Sequence, residues 1–213
     1  MKDVDYEKYD GMDTVILDKH AADTIKEDCQ SFQCQLENHC AHVIMLMEQG
    51  IITKEEAGKI LGALLRLLDI GPENIPFRPG LTDLYSNIEE WLIDELGIET
   101  GGKVHTGRSR NDMNSSVERV YTRRTMLDVL EAMLLLMKTL LNMAEHKDTV
   151  IPGYTHHSQQ AQPVTLGHFY TSAFQAFSRD AERLLEAYKR VNLSTMGGAA
   201  IATTSFPISR ERT

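Results

Sequence analysis

The sequence has few of the residues that mark secreted or disulfide-rich proteins. Its 213 residues include only three cysteines, one tryptophan and six prolines. An odd number of cysteines without Cys-x-x-Cys spacing argues against a disulfide framework and favours a reducing compartment. The first 13 residues, MKDVDYEKYDGMD, are acidic and lack the apolar segment of a signal peptide. We therefore expect a cytoplasmic protein.

Basic residues and long apolar runs are scarce as well. The chain has 22 Lys and Arg against 31 Asp and Glu, a formal net charge of -9, which disfavours nucleic acid or an acidic membrane as the main partner. The most apolar stretch, residues 133–144, is interrupted by Lys138 and is too short to span a bilayer. A small anion can still be bound by a local group of arginines.

Motifs for metal binding and covalent catalysis are also missing. On a helix, Cys34 would point roughly 140° away from Cys29, so these thiols and Cys40 cannot share one zinc ion, and we predict three buried thiols. His39 and His42 would share a helix face, but no His-Glu-x-x-His motif accompanies them. Gly-x-Ser-x-Gly and P-loop motifs are absent. We predict neither a metal nor a cofactor.

The pattern of apolar residues is helical along almost the whole chain, with steps of three and four and no long strand-like alternation. We predict helices over residues 22–49, 53–70, 83–96, 111–146 and 163–191. The fourth would be about 50 Å long and needs several neighbours. The sequence thus predicts an all-α protein, with a small helical domain over residues 1–104 and the start of a long-helix bundle, incomplete, over residues 105–213.

The stretch HTGRSRND, residues 105–112, precedes the longest predicted helix. The start of a helix has unpaired N–H groups and the positive end of the dipole, so it attracts anions. Arg108 and Arg110 add guanidinium groups suited to carboxylate or phosphate. Ser109, Asn111 and Asp112 can cap the helix, and Asn111 can also donate to a ligand. The alternative is a surface capping loop with solvated arginines.

A second polar loop, PGYTHHSQQAQP at residues 152–163, connects two long predicted helices. It contains Tyr154, Thr155, His156 and His157, and a histidine can serve as a general acid or base. The alternative is a hydrogen-bonded structural turn. Because both loops lie where long helices begin, they could face one shared cleft.

Several blocks of the sequence, in the same order, resemble argininosuccinate lyases of the fumarase/aspartase superfamily. HTGRSRND looks like the first signature of that family, and PGYTH followed by AQPVTLGH is similar to its second signature. AHVIMLMEQGII, SNIEEWLIDELG and TSFPISRE resemble three further family segments. The similarity covers most of the chain after roughly residue 35.

This resemblance implies a homotetrameric enzyme that performs an anti β-elimination and releases fumarate, with arginine as the second product of argininosuccinate. A base removes a proton next to a carboxylate, the carbanion is held as an aci-carboxylate, and an acid assists the departing nitrogen. Stabilisation of that anion at a helix N-terminus should dominate catalysis. The resemblance assigns substrate binding to Asn87, Arg108, Ser109, Arg110, Asn111 and Thr155.

The second-signature histidine, which would act as the acid–base partner, has two candidates. The chain has one residue more between this histidine and AQP than the family normally has. Counting forward from GYTH selects His156, whereas counting back from Pro163 selects His157. We favour His156, because Thr155 then keeps its place.

Other departures concern the substrate. His39 stands where the family has a substrate-contacting serine, Tyr85 replaces a common histidine, and Ser209 replaces a common aspartate. These differences leave open another amino- or nucleoside-succinate as substrate of the same type of lyase. They also leave open a non-catalytic helical oligomerisation or structural protein, as related lens proteins are.

The third signature of the superfamily, a glycine-serine loop with Met-Pro and Lys-Asn that supplies the catalytic serine base, does not occur in the sequence. In the family, each active site gathers residues from three subunits. We therefore expect this chain to be inactive by itself.

Overall fold

The structure, a computed structural model, describes residues 26, 28–76, 78, 81, 83–154 and 157–213. These residues form two compact units. Unit 1 contains the described residues up to Tyr121 together with Ser194–Thr213, and unit 2 is Thr122–Leu193. The predicted domain boundary after residue 104 stays a prediction. The two compact units are divided elsewhere, between residues 121 and 122 and between residues 193 and 194.

The all-α prediction is confirmed. The α-helices are α1 (Phe32–Glu48), α2 (Lys54–Ile70), α3 (Leu84–Leu96), α4 (Ile98–Gly101), α5 (Arg110–Ala144) and α6 (Leu166–Val191). Short 3-10 helices cover Cys29–Ser31, Pro72–Asn74 and Gly102–His105, and the strands are β1 (Val150–Ile151) and β2 (Val164–Thr165). None of the described helices has the length and apolar character needed to cross a membrane.

Local sequence signals explain where most helices begin and end. Thr53 and Glu56 form a capping box at the start of α2, in which each side chain accepts from the backbone N–H of the other. Gly71 and Gly97 end α2 and α3 with φ of 78°, a conformation that glycine adopts without strain. Residues 22–25 and 27 of the first predicted helix lie outside the described residues.

The predicted start of the last helix at Pro163 is wrong. Helix α6 begins at Leu166, because the two preceding residues pair with β1 in antiparallel register, Val150 with Thr165 and Ile151 with Val164. The Thr165 hydroxyl accepts from the N–H of His168 and caps the helix.

Replacing Thr53 with alanine should lower the free energy of unfolding by about 1 kcal/mol, because one N–H group at the start of α2 loses its acceptor. Thr53→Ser keeps the hydroxyl and should change stability by only a few tenths of that amount. Urea denaturation of the two variants and the wild type measures the difference. Equal midpoints for alanine and serine would show that the capping box contributes nothing.

The main core of unit 1 is formed by α1, α2, α3 and the segment after α4. Its fully buried members are Val43, Met45, Leu46, Ala57, Ile60, Ala63, Leu64, Leu67, Leu84, Ile88, Leu92 and Val104. A second apolar cluster joins α1, α3, the start of α5 and the segment after α6 through Cys34, Tyr85, Met113, Val117 and Met196. This second cluster packs the start of α5 against α1 and α3.

Gly101 allows α4 to pack directly on the end of α3. A Cβ atom at this position would lie 2.4 Å from the carbonyl oxygen of Leu92 and 2.8 Å from the backbone nitrogen of Ile93. No side chain larger than hydrogen fits there unless the backbone moves. Gly101, four residues before the HTGRSRND stretch, is therefore required by the close approach of the two backbones.

The C-terminal segment Ser194–Thr213 returns to unit 1. Arg212 makes two hydrogen bonds to the carboxylate of Glu48, at 2.6 and 2.8 Å. The backbone N–H of Ala199 donates to the Asp112 carboxylate at 2.6 Å. This segment therefore connects the end of α1 with the start of α5.

Unit 2 contains the rest of α5, the strand pair and α6. A Cβ atom at Gly167 would lie 2.6 Å from the carbonyl oxygen of Ala144, so the start of α6 passes close to the end of α5. Arg123 donates to the Asn192 side chain at 2.7 Å. Many large apolar side chains of this unit are exposed, namely Leu127, Val129, Leu134, Leu135, Leu136, Leu141, Met143, Val150, Tyr154, Phe169, Leu185 and Leu193.

The cysteines are not all buried as predicted. Cys34 is buried, whereas Cys29 and Cys40 are partly exposed, and all three are free thiols. The prediction of three buried thiols is thus wrong for two of them. Cys40 packs against the outside of the main core, and Cys29 lies in the 3-10 helix before α1. Partial burial raises the pKa of the Cys29 and Cys40 thiols, which favours the protonated form.

Candidate functional site

Of the three predicted capping residues, Ser109 and Asp112 make capping hydrogen bonds at the start of α5. The Ser109 N–H donates to Oδ1 of Asp112 at 3.0 Å, and the Asn111 N–H donates to Oγ of Ser109 at 3.2 Å. The second carboxylate oxygen of Asp112 accepts the N–H of Ala199. Ser109 and Asp112 therefore hold the helix start in one conformation, while the Asn111 side chain is exposed and available to a ligand.

Arg110 lies on the exposed side of this helix start. Its guanidinium forms an ion pair with Asp83 at 2.8 Å and is half-exposed. Asp83 also accepts the Ser86 N–H and so caps α3. Burial raises the pKa of the Asp83 carboxyl, but hydrogen bonds from Ser86 and Arg110 outweigh this effect and lower it overall. Asp83 was not among the predicted site residues.

Arg108 is buried, with 6% of its surface exposed. Its Nη2 donates to Nδ1 of His39 at 2.7 Å, whereas Nε and Nη1 are buried without a hydrogen-bond partner among the described residues. No described carboxylate lies within ion-pair distance of this guanidinium. Burial lowers the pKa of Arg108, although an arginine stays charged at neutral pH.

Tyr85 is the aromatic centre of the region. Its ring stacks on His39, with centroids 5.6 Å apart and planes at 9°. The guanidinium carbons of Arg108 and Arg110 lie 5.5 and 5.9 Å from the Tyr85 centroid, within cation–π range. The phenol also hydrogen-bonds to Nδ1 of His105. Burial raises the pKa of Tyr85 to about 12, so the phenol stays protonated.

One face of α1 presents polar groups to this region. Gln35, Asn38, His39 and His42 lie on this face, which we call the α1 polar stripe. Nε2 of His42 donates to the Thr106 carbonyl at 2.9 Å, and the Asn38 amide donates to Oγ of Ser116 at 2.9 Å. Each of these four residues also has one buried polar side-chain atom without a hydrogen-bond partner among the described residues. Uncharged polar residues three and four apart, beside the apolar stripe, are the sequence signal that would have predicted this face.

The histidines of this region are held neutral. Burial, and after it the charge of Arg108, lower the pKa of His42 to about 3. Burial and Arg108 also lower the pKa of His39 well below its usual value. Since a guanidinium can only donate, Nδ1 of His39 accepts and its proton lies on Nε2.

Lowering the pH from 7.5 to 5.5 should reduce the free energy of unfolding by about 1.4 kcal/mol through His42 alone. Between its unfolded pKa near 6.5 and its folded pKa of about 3, the unfolded chain binds the additional proton. The contribution of neutral His42 to the free energy of unfolding is therefore complete above the unfolded pKa near 6.5 and is lost as the pH falls towards the folded pKa of about 3. Urea denaturation at both pH values measures the loss.

The control for this prediction is His146→Gln, a replacement on the exposed surface. His42→Gln should remove about 1.4 kcal/mol of the pH dependence, whereas His146→Gln should leave it as in the wild type. The same pH dependence in all three proteins would show that His42 titrates normally in the folded state.

Asn87 is buried and both ends of its amide are bonded. Its Oδ1 accepts the Arg78 N–H at 2.9 Å, and its Nδ2 donates to the Asp83 carbonyl at 2.8 Å. The side chain therefore fixes the segment before α3. Binding of substrate by Asn87 stays a prediction, and it would require a change in these hydrogen bonds.

The structure describes only some residues of the second signature. Thr155 and His156 lie outside the described residues, and His157 is an exposed residue of unit 2. The choice between the two histidines is thus still a prediction.

An open cleft of about 420 Å³ lies between residues 102–108 and 199–206 of unit 1. Its walls include Arg108 and the hydroxyl-bearing Thr106, Thr203 and Thr204. Gly107 has φ of 70°, and a Cβ atom there would lie 3.0 Å from Cγ2 of Ile208. Glycine at this position therefore lets the C-terminal segment close one side of the cleft.

Comparison with known proteins places these features in a family. The profile of a family described as Lyase matches residues 18–213. The chain belongs to this lyase family. Among the curated relatives, argininosuccinate lyase of Methanocaldococcus jannaschii is 46% identical over 187 residues, which are 87% of the chain and 38% of that protein. Argininosuccinate lyase 1 of Shouchella clausii is 41% identical over 84% of the chain and 36% of its own length.

Solved structures of similar proteins have the same fold as this chain. EDDS lyase in complex with formate is 34% identical, with a TM-score of 0.75 over 86% of this chain and 36% of that one. A fumarate lyase:delta crystallin from Brucella melitensis, at 17% identity and a TM-score of 0.70, shares the fold alone. The resemblance to argininosuccinate lyases is confirmed, and the chain spans well under half the length of these relatives.

Proposed function

We propose that a protein containing this chain eliminates fumarate from argininosuccinate and leaves arginine. The observation that carries the proposal is the cluster at the start of α5, where two guanidinium groups lie within 6 Å of the Tyr85 ring centroid. This cluster coincides with the HTGRSRND stretch of the argininosuccinate lyase pattern. Similarity to the Methanocaldococcus jannaschii enzyme at 46% identity supports it.

In the proposed reaction, Arg110, Ser109 and Asn111 bind the succinyl carboxylates. Arg110 is half-exposed and already bonds a carboxylate, that of Asp83, so a substrate carboxylate can join or replace this partner. Removal of the proton next to the bound carboxylate places negative charge on its oxygens. Guanidinium and N–H donors that are positioned before the reaction stabilise this charge without reorganisation.

The acid that assists the departing nitrogen is assigned to His156, with His157 as the alternative. A general acid contributes roughly 10²- to 10⁴-fold to a rate. Replacing each histidine by glutamine in a full-length lyase with this chain should therefore lower kcat at least 100-fold for one variant only. Similar activity of both variants would remove the acid–base role from this loop.

The proton acceptor is not assigned to this chain, because its sequence has no glycine-serine loop with Met-Pro and Lys-Asn. The 213-residue chain alone is expected to bind ligands without turnover. Fumarate release by the isolated chain would contradict this part of the proposal.

Another succinyl-amine is the second candidate substrate. His39, at the position expected for the substrate-contacting serine, is fully buried and bonded to Arg108. An imidazole in place of a serine hydroxyl changes both the volume and the hydrogen bonds of the region. This change favours a different amine, while the elimination itself remains the same.

Fumarate release from a panel of succinyl-amines, measured with a full-length lyase containing this chain, tests both candidates. Turnover of argininosuccinate above all other compounds supports the first candidate, and turnover of another amino- or nucleoside-succinate supports the second. No turnover, together with no thermal shift by argininosuccinate or by fumarate plus arginine, would favour a non-catalytic structural protein.

We also propose that the lyase is a homo-oligomer, a tetramer at full length. The support is the apolar surface of unit 2, where α5 exposes 54% of Leu134 and 67% of Leu135. Exposed apolar surface of this extent marks protein interfaces. Light scattering of the full-length protein measures the assembly, and a monomer would contradict the proposal.

A further inference from the structure

We propose that one exposed face of α2 pairs with the same face of a second copy of this chain, with the two helices antiparallel. This face, which we call the α2 apolar face, consists of Gly58, Leu61, Gly62, Leu65 and Leu68. The pairing involves unit 1 alone and is independent of lyase activity and of the assembly proposed through unit 2.

The first support is a second apolar stripe on α2, beside the side of the helix that is already buried in the core. Leu61, Leu65 and Leu68 follow one another by four and three residues and therefore share a face. Leu65 is 60% and Leu68 is 42% exposed, while Leu61 is half-buried. Single exposed leucines are common on protein surfaces, but a continuous apolar stripe indicates a contact surface.

The second support is the space that two glycines leave beside these leucines. A Cβ atom at Gly58 would have no heavy atom within 4 Å, and one at Gly62 would meet only Nη1 of Arg66, at 3.8 Å. Glycine destabilises the interior of a helix, and no crowding within unit 1 requires it at these positions. The missing side chains leave depressions into which large side chains of a second helix can pack.

The spacing of the face fits an antiparallel pair related by a twofold axis. Gly58, Leu61, Leu65 and Leu68 are separated by three, four and three residues, the same series in both directions. An axis at residue 63 therefore places Gly58 opposite Leu68 of the second copy, and Leu61 opposite Leu65. A twofold contact uses the same patch on both copies, and here each end of the patch pairs a small residue with a large one.

The third support is the charge at the two ends of the face. Lys54 lies four residues before Gly58, and Asp69 lies four residues after Leu65, so both continue the stripe. Neither forms an ion pair with a described residue. The other charged residues of α2 are paired within the chain, Glu55 with Lys59, Glu56 with Lys103 and Arg66 with Glu95.

These two charges favour the antiparallel orientation. In an antiparallel pair Lys54 of each copy lies near Asp69 of the other, so opposite charges meet at both ends of the contact. A parallel pair would instead bring like charges together, and like-charge contacts select against an orientation. It would also place Gly58 opposite Gly58 and leave a gap.

The length of the face predicts a weak, reversible dimer. Residues 58–68 cover about 15 Å of helix at 1.5 Å per residue. A contact of this length is smaller than the roughly 1,200–2,000 Å² that stable protein interfaces bury. The dimer population should therefore rise with protein concentration.

A carbodiimide, which joins an amine directly to a carboxylate, tests the pairing in the 213-residue chain. Lys54 and Asp69 of one chain are about 22 Å apart along α2, too far for such a link. A Lys54–Asp69 link found by mass spectrometry therefore joins two copies, and a mixture of unlabelled and ¹⁵N-labelled chains confirms this. The Lys59–Glu55 pair at 2.7 Å should give a link within each chain. That link without the Lys54–Asp69 link would overturn the proposal.

Two leucine variants separate this face from the apolar surface of unit 2. Leu65→Asn should reduce the yield of the Lys54–Asp69 link at least about tenfold, because each dimer loses two buried leucines. Leu135→Asn makes the same chemical change at a residue of α5 that is 67% exposed, and it should retain the link. Loss of the link in Leu135→Asn but not in Leu65→Asn would show that the copies associate through unit 2 instead.

Exchange of the two end charges tests the orientation. Lys54→Glu should weaken dimerisation several-fold in sedimentation velocity, because like charges then meet at both ends. A negative charge is favourable at a helix start, so this loss cannot come from unfolding of α2. The double variant Lys54→Glu/Asp69→Lys should dimerise as the wild type and again give a link between positions 54 and 69. A double variant as weakly associated as Lys54→Glu alone would contradict the antiparallel pairing.

Discussion

Arg110→Ala should lower kcat/KM for fumarate release at least 100-fold in a full-length lyase that contains this chain, a loss of about 3 kcal/mol of transition-state stabilisation. The guanidinium is held by Asp83 at 2.8 Å before any substrate arrives. Its interaction with the substrate carboxylate should strengthen as negative charge develops there. Because the interaction is strongest in the transition state, kcat should fall together with kcat/KM.

Stability measurements separate this loss from unfolding. In the Arg110–Asp83 ion pair the Arg110 side chain is half-exposed and the Asp83 side chain is 17% exposed, and an ion pair that water reaches contributes about 1 kcal/mol or less to folding. Arg110→Ala should therefore unfold at nearly the wild-type urea concentration. Arg212→Ala is the matched control, and it should leave turnover within a factor of about two. A decrease below tenfold for Arg110→Ala would remove this arginine from the reaction.

Gly101→Ala should lower the free energy of unfolding by about 3 kcal/mol, the upper end of the usual range for overpacking. The added methyl group would meet the carbonyl oxygen of Leu92 at 2.4 Å, and backbone atoms cannot rotate away as a side chain can. Helix α4 would have to separate from α3. Urea denaturation measures the loss, which corresponds to a decrease in Tm of about 6–12 °C.

Gly58→Ala is the matched control for this substitution. Gly58 lies on the exposed surface of α2, and a Cβ atom there has no heavy atom within 4 Å. The same chemical change should therefore stabilise the protein by up to about 1 kcal/mol, because alanine loses less backbone entropy in a helix. Equal effects of the two alanine variants would contradict the close approach at Gly101.

The helices could be predicted from the sequence where their limits depend on local chemistry. The capping box of Thr53 and Glu56 and the glycine at position 97 act on backbone groups a few residues away, so their effect is visible in the sequence. The start of α6 was misplaced because β2 pairs with a strand about 14 residues earlier in the chain. That pairing overrides the preference of Pro163 for the first turn of a helix.

The candidate site shows the same division between local and distant interactions. The capping of α5 by Ser109 and Asp112 was predictable, since both lie within one helical turn. The burial of Arg108 was not, because its partner His39 is 69 residues away in the sequence. The Arg110–Asp83 pair, separated by 27 residues, was missed for the same reason. Thus the sequence predicted candidate anion-binding residues, but not which of the two arginines forms an ion pair with a carboxylate.

The division of unit 1 into two chain segments has a consequence for folding during synthesis. Residues 122–193 leave the ribosome before Ser194–Thr213, so unit 1 cannot be completed until residues 194–213 have been made. Until then Glu48 lacks Arg212, and Asp112 lacks the N–H of Ala199. Contacts across 164 and 87 residues also carry a large loop-closure entropy, which slows folding. The cleft wall is therefore the last part of unit 1 to form on the nascent chain.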